Sequence, residues 1–303
     1  MRPGDSVASW VEHAPAFVRP YLRLMRLDRP IGIWLLFLPS VWGLTLGAVA
    51  DGRAFPAPMH VLMMGLGAIV MRGAGCTYND IVDRDFDARV ARTRGRPIPS
   101  GAVSVRQAAI FAVMLCGIGF LILLTFNRLA ILLGVGSLVL IAGYPFMKRI
   151  TWWPQAWLGL TFNWGVPLGF AAEAERVTPA ALVFYAGAFF WMIGADTIYA
   201  HQDKEDDALI GVKSSALRLG QNTKPWLYGF YGAAFVLMLA GGLMDGLRLV
   251  YAAALLVAGA HLLWQVHALD IERPLLCLKI FRSNRDFAAL VVAALLLGAV
   301  ARI

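Results

Sequence analysis

Apolar residues along this chain gather into long runs separated by short polar breaks, at Pro30 to Ala50, Met59 to Thr77, Val105 to Phe126, Leu129 to Phe146, Trp153 to Ala172, Pro179 to Ala200, Trp226 to Met244, Leu249 to Ala268 and Phe287 to Ile303. Each run approaches the ~20 residues a helix needs to cross a hydrocarbon layer. The pattern predicts an all-α integral membrane bundle of nine transmembrane helices. No long soluble insertion, low-complexity tract or heptad repeat interrupts it, so residues 1–303 read as a single polytopic domain. The polar remainder is a segment over 1–28 and two long loops, 84–104 and 201–224, long enough to cap a site.

Composition agrees with the pattern. With 59% hydrophobic and 15% charged residues and a mean hydropathy of +0.66, the chain has too little polar surface to cover a soluble globule. The net charge of +8 does not point to nucleic acid, because the basic residues sit in loops beside apolar runs. Counted on alternate sides of nine spans, 22 Lys and Arg fall on one side and five on the other, namely Arg53, Arg128, Arg176, Arg248 and Arg302. The basic side is expected in the cytoplasm, with the N-terminus there and the C-terminus outside. Segment 1–28 carries Pro3, Pro15 and Pro20 and lacks a continuous apolar core, so no cleaved signal peptide is expected. Cys76, Cys116 and Cys277 are odd in number and far apart, which suits small buried residues and neither a disulfide framework nor a zinc site.

The acidic residues are distributed unevenly. Nine of the nineteen lie in two stretches, 80–87 and 196–207. In Asn79-Asp80-Ile81-Val82-Asp83-Arg84-Asp85-Phe86-Asp87, helical i, i+4 spacing puts Asn79, Asp83 and Asp87 on one face. Asp203 and Asp207 repeat the spacing, and Asp196 would lie deeper on the same helix face. Carboxylates on one stripe repel one another unless something cationic sits between them. Oxygen ligands without His or Cys suit magnesium or calcium, and the calcium-loop pattern is absent. Magnesium commonly takes one or two protein carboxylates and fills its other positions with water and phosphate oxygens. Two such faces on one side of the membrane read as two halves of a clamp for a diphosphate.

Nearby cations fit that reading: Arg84 inside the first motif, Arg72 two turns before Asn79, Lys148 and Arg149 at the end of an apolar run, and Lys213 after the second motif. The implied reaction is departure of diphosphate from an allylic carbon. Arg89, Arg92, Arg94 and Arg96 divide between membrane-surface duty and phosphate contact. Asp196, an ionisable group within an apolar run, either polarises an acceptor hydroxyl or hydrogen-bonds a neighbouring helix. A secondary transporter, with carboxylates carrying protons or cations, is the rival from another class, and it predicts acidic residues near the bilayer midplane.

These motifs resemble the UbiA superfamily of intramembrane prenyltransferases. The signature N-D-x-x-D-x-x-x-D falls on Asn79, Asp80, Asp83 and Asp87, and D-x-x-x-D on Asp203 and Asp207. The resemblance extends through Leu24-Met25-Arg26-Leu27-Asp28-Arg29-Pro30-Ile31-Gly32, Arg96-Pro97-Ile98-Pro99-Ser100-Gly101, Tyr144-Pro145-Phe146-Met147-Lys148-Arg149 and Ile210-Gly211-Val212-Lys213-Ser214, and is strongest to the bacterial 4-hydroxybenzoate polyprenyltransferases of ubiquinone synthesis. It implies a central cavity, Mg2+ held through Asn79, Asp83, Asp87, Asp203 and Asp207, and Arg84 and Arg149 on the diphosphate. It also implies a polyprenyl diphosphate whose tail leaves toward membrane lipid, and prenylation of an aromatic acid ortho to its phenol. Related members use homogentisate, other quinone precursors, haem or lipid alcohols as acceptors. The expected setting is a bacterial cytoplasmic (inner) membrane, with the active site facing the cytoplasm.

Overall fold

The computed structural model describes residues 9–90, 93–209 and 211–302. Arg92 of the first loop and Ile210 of the fourth resembling segment lie outside the described residues. In chain order the α-helices are α1 (Arg19–Leu24), α2 (Ile31–Ala50), α3 (Pro58–Val82), α4 (Arg84–Asp87), α5 (Val105–Leu123), α6 (Arg128–Ile150), α7 (Pro154–Asn163) and α8 (Gly165–Ala174). There follow α9 (Pro179–Ala200), α10 (Lys204–Leu209), α11 (Ser215–Leu219), α12 (Thr223–Met244), α13 (Leu249–Ala268), α14 (Pro274–Arg282) and α15 (Asn284–Val300).

Among the described residues, eight helical stretches are long and apolar enough to span a membrane, and the run expected at Trp153 to Ala172 is not one of them. It forms two ten-residue helices, α7 and α8, that meet at Trp164. The cause is Pro167, which has no N–H for the carbonyl of Asn163 and whose ring crowds it. Asn163 turns its side-chain amide on the carbonyls of Gly159 (2.9 Å) and Ala188 (3.0 Å). Two other spans run further than hydropathy alone predicts. Helix α3 continues past Thr77 to Val82, and α6 continues to Ile150, carrying Lys148 and Arg149 in its last turn.

The chain divides into two compact units, Met1–Trp34 with Gly65–Thr125, and Leu35–Met64 with Phe126–Ile303. In the first, Leu24, Ile98, Val103 and Ala108 form a buried cluster against Tyr21, Ile81 and Phe111. This core pins the 93–104 loop beside the end of α3. The loop reverses at Gly101, whose φ of +78° favours glycine, and hands over to α5 through a capping box between Ser104, the N-cap, and Gln107. Cys116, expected to be buried, lies exposed on α5.

In the second unit α2 and α8 meet through small residues. A Cβ on Gly43 would lie 2.1 Å from the carbonyl oxygen of Val166, and one on Gly169 2.4 Å from that of Ser40, so only glycine permits this backbone approach. Trp42, Phe184, Trp191 and Phe287 fill the core beside them, and the Trp42 indole N–H donates to Ala288 O at 3.0 Å. The buried carboxylate of Glu173 accepts from the Ala57 N–H (3.0 Å) and the Arg53 guanidinium and contacts His60 Nδ1 (2.6 Å), which satisfies a charge otherwise expensive to bury.

Candidate active site

Helix α3 carries Asn79 and Asp80 in its last turn, and Asp83, with φ −96° and ψ 5°, separates it from α4. The i, i+4 register survives the break, because Asp83 N–H donates to Asn79 O and Asp87 N–H to Asp83 O, both at 2.8 Å. Asn79, Asp83 and Asp87 therefore stay in line as the spacing predicts. Asp80, Asp83 and Asp87 are buried, whereas Arg84 and Asp85 between them are exposed.

Buried carboxylates need partners, and two arginines distant in sequence supply them. Arg26 Nη2 reaches Asp80 Oδ1 at 2.5 Å. Arg96 Nη1 bridges Asp80 Oδ1 at 3.3 Å and Asp87 Oδ2 at 2.8 Å. Thr93 Oγ1 donates to the Asp87 carbonyl at 2.9 Å, tying the loop to the motif. Burial raises the Asp87 carboxyl above the usual aspartate range, with Arg96 pulling it down and Asp80 and Asp83 adding to the rise. Arg26 is absent from the expected site and Arg96 was divided between two roles. The signal that finds them is the charge balance: carboxylates at a buried helix end require guanidinium from elsewhere.

Of the expected cations in this unit, Arg84 is exposed, donates to Ile81 O at 3.2 Å and lies 3.7 Å from Asp85. Arg72 packs its guanidinium on the backbone of Gly32, where a Cβ would meet its Nε at 2.5 Å.

The second acidic stretch is built differently. Helix α9 ends at Ala200 and the chain turns through His201 to Asp203 before α10 begins. Asp196 therefore sits half-buried on α9, and Asp203 follows a turn rather than sharing one continuous helix face with it. Asp203 and Asp207 keep their spacing through an Asp207 N–H to Asp203 O bond of 2.9 Å, and Val212 N–H closes on Asp207 O at 2.9 Å. Lys204, inside the motif, turns away to Glu272 (2.8 and 2.9 Å).

His201 is buried behind this turn. Thr223 Oγ1 donates to Gly220 O at 2.7 Å, so it accepts from His201 Nε2–H at 2.8 Å, and Nδ1 is left as a buried acceptor with no hydrogen-bond partner. Burial pulls the imidazole down to about 4, Lys204 adding to the fall and Glu272 opposing it. In the same unit Lys148 is half-buried and its carbonyl accepts from Lys213 N–H at 2.9 Å. Arg149 is exposed over Phe146, 5.6 Å from the ring centre. Lys213 Nζ donates to Ile150 O at 3.1 Å and lies over Trp152, an orientation that caps α6.

Among the described residues no three His, Cys, Asp or Glu side chains converge into a ready-made metal cage. The donors are the carboxylate and amide oxygens of Asn79, Asp83 and Asp87 and of Asp203 and Asp207, in short i, i+4 sets. That chemistry fits magnesium, which needs few protein ligands and completes its shell with water and phosphate.

Comparison with known proteins gives the same direction. Residues 36–291 match the UbiA prenyltransferase family. A human mitochondrial 4-hydroxybenzoate polyprenyltransferase is 48% identical over 294 residues, 97% of this chain and 79% of that one. Its Arabidopsis thaliana counterpart is 43% identical over 293 residues, 96% of this chain and 72% of that one. Among solved structures, a UbiA homolog from Aeropyrum pernix K1 superposes with a TM-score of 0.72 at 24% identity, covering 86% of this chain and 96% of that one. A UbiA homolog from Archaeoglobus fulgidus bound to GPP and Mg2+ gives 0.68 at 19% identity, over 91% of this chain and 99% of that one.

These relatives correct one expectation. The bacterial cytoplasmic membrane does not stand, because the relatives in human and Arabidopsis are mitochondrial and point to a mitochondrial setting. The reason the sequence misled is physical: Lys and Arg asymmetry orders the two faces of a membrane and carries no mark of whose membrane it is.

Proposed function

Because the chain belongs to the UbiA prenyltransferase family, we propose that it transfers a polyprenyl group from polyprenyl diphosphate to the ring carbon ortho to the hydroxyl of 4-hydroxybenzoate, releasing diphosphate. What carries this reading is the 48% identity to a 4-hydroxybenzoate polyprenyltransferase over 97% of the chain. Both acidic stretches are assigned to one diphosphate, on the strength of their shared spacing and the signature they match. Asn79, Asp83 and Asp87 form one half, Asp203 and Asp207 the other. Magnesium held there supplies positive charge that stabilises the leaving diphosphate. Arg84, Arg149 and Lys148 are the side chains we assign to its outer oxygens, while Arg72 and Lys213 support the helix ends they pack on.

In the proposed step the allylic C–O bond breaks with its electron pair going to diphosphate. The ring carbon beside the phenol attacks the resulting cation, forming the C–C bond. The ring proton then leaves to a base, Asp196 or the released diphosphate, and aromaticity returns.

The test is mass spectrometry of the product made by the purified chain from 4-hydroxybenzoate and a panel of polyprenyl diphosphates, with homogentisate and haem competing. A single ortho-prenylated 4-hydroxybenzoate is the expected product. Exclusive modification of another acceptor would sink the assignment.

A further inference from the structure

Asp80 belongs to the first signature, yet its surroundings set it apart from Asp83 and Asp87. Its side chain is fully buried, and Oδ1 accepts from two arginines, Arg26 Nη2 at 2.5 Å and Arg96 Nη1 at 3.3 Å. Arg26 is held in place on both sides. It has a left-handed φ of 58°, a conformation L side chains rarely adopt, and its Nη1 donates to Arg23 O at 2.9 Å. Arg96 is divided, because the nitrogen that reaches Asp80 also reaches Asp87 Oδ2 at 2.8 Å. Its Nε is buried without a partner, so the geometry leaves this guanidinium short of acceptors and drawn toward any carboxylate within reach.

Resting on the metal-diphosphate reading above, we propose that Asp80 is a positioning residue rather than a metal ligand. Together with Arg26, it shares the Arg96 guanidinium with Asp87 and so sets how much of the Asp87 charge is left for a divalent cation. A guanidinium and a divalent cation compete for the same carboxylate oxygens. Remove the charge of Asp80 and two effects act together. Arg96 loses its second acceptor, so its 2.8 Å contact with Asp87 is no longer shared, and Arg26, no longer neutralised, repels it. A ligand role for Asp80 predicts something else, because Arg96 would then be irrelevant to the loss.

Mn2+ binding by the purified full-length chain in detergent separates the two, read by electron paramagnetic resonance of the bound ion without diphosphate, with thermal unfolding recorded beside it. Asp80→Asn is expected to weaken Mn2+ about tenfold, and adding Arg96→Gln to restore it to within about threefold of the parent. Should Asp80→Asn fail to fold, Arg26→Gln with Asp80→Asn removes the buried pair together, carries the same expected loss and is rescued by the same third change. Failure of Arg96→Gln to rescue, loss of a whole Mn2+ equivalent in Asp80→Asn, or unchanged affinity in it overturns the positioning role. Asp83→Ala keeps that failure apart from failure of the underlying reading. If the parent binds no Mn2+, or Asp83→Ala binds it as the parent does, both ideas fall. If Asp83→Ala loses the ion while Asp80→Asn keeps full affinity, only the positioning role falls.

Discussion

The two acidic stretches share a spacing and differ in how they are held. Asp83 and Asp87 are buried at the end of a spanning helix, beside a buried Asp80 paired to Arg26 and Arg96. Asp203 and Asp207 are half-buried across a turn, and the lysine between them is occupied by the exposed Glu272. A buried carboxylate dictates partners, so the first stretch recruits arginine from the N-terminal segment and from the 93–104 loop. The second stretch keeps i and i+4 together through a backbone turn, the Asp207 N–H donating to Asp203 O at 2.9 Å. The lesson is that one spacing is carried in two settings, a buried helix end paired to distant arginines and a half-buried turn whose lysine pairs with Glu272.

The largest way to break this contrast is Arg26→Ala. It leaves Asp80 buried beside Arg96 alone, and unfolding in detergent is expected to become easier by ~3 to 5 kcal/mol. A variant as stable as the parent would place the support of the first stretch elsewhere. Next comes the buried histidine behind the second stretch. His201 is held at about 4 against an ordinary 6.5, so the unfolded chain takes up a proton first as pH falls. Its contribution is intact above pH 6.5, is lost between about 6.5 and 4, and amounts to no more than ~3 kcal/mol. His201→Gln should flatten that part of the stability profile. The smallest effects are expected at the exposed pairs. Glu272→Gln and Asp85→Asn should leave the thermal midpoint where it is, as solvated ion pairs do. A clear shift in Glu272→Gln would show the second stretch to be as firmly wired as the first.

Much of the fold and part of the site were legible in the chain. Apolar runs located the spans, because a helix in lipid must bury its backbone polar groups internally and shows only apolar side chains outward. Hydropathy did not reveal the break at Trp164, which depends on Pro167 within an otherwise uniform run. The i, i+4 acidic faces were readable, since local spacing survives even where Asp83 interrupts α3. Arg26 as the partner of Asp80 was not readable, because the pair is 54 residues apart and no periodicity links them. The turn at His201 to Asp203 was also missed, and with it the expectation that Asp196 and Asp203 share a helix face. Nothing in the residues there is a strong breaker, and the stop comes from burial of His201 against Thr223.

The central claim is that both stretches act on one diphosphate. It is tested most directly by Mg2+-dependent diphosphate release, measured for Asp83→Ala, Asp207→Ala and the double variant of the purified chain. The account predicts that each single change lowers the rate at least ~100-fold while the protein remains folded, and that the double is little worse than either single, because the residues act as a unit. Near-parental release from either single variant at saturating Mg2+, or losses that simply multiply, would contradict it.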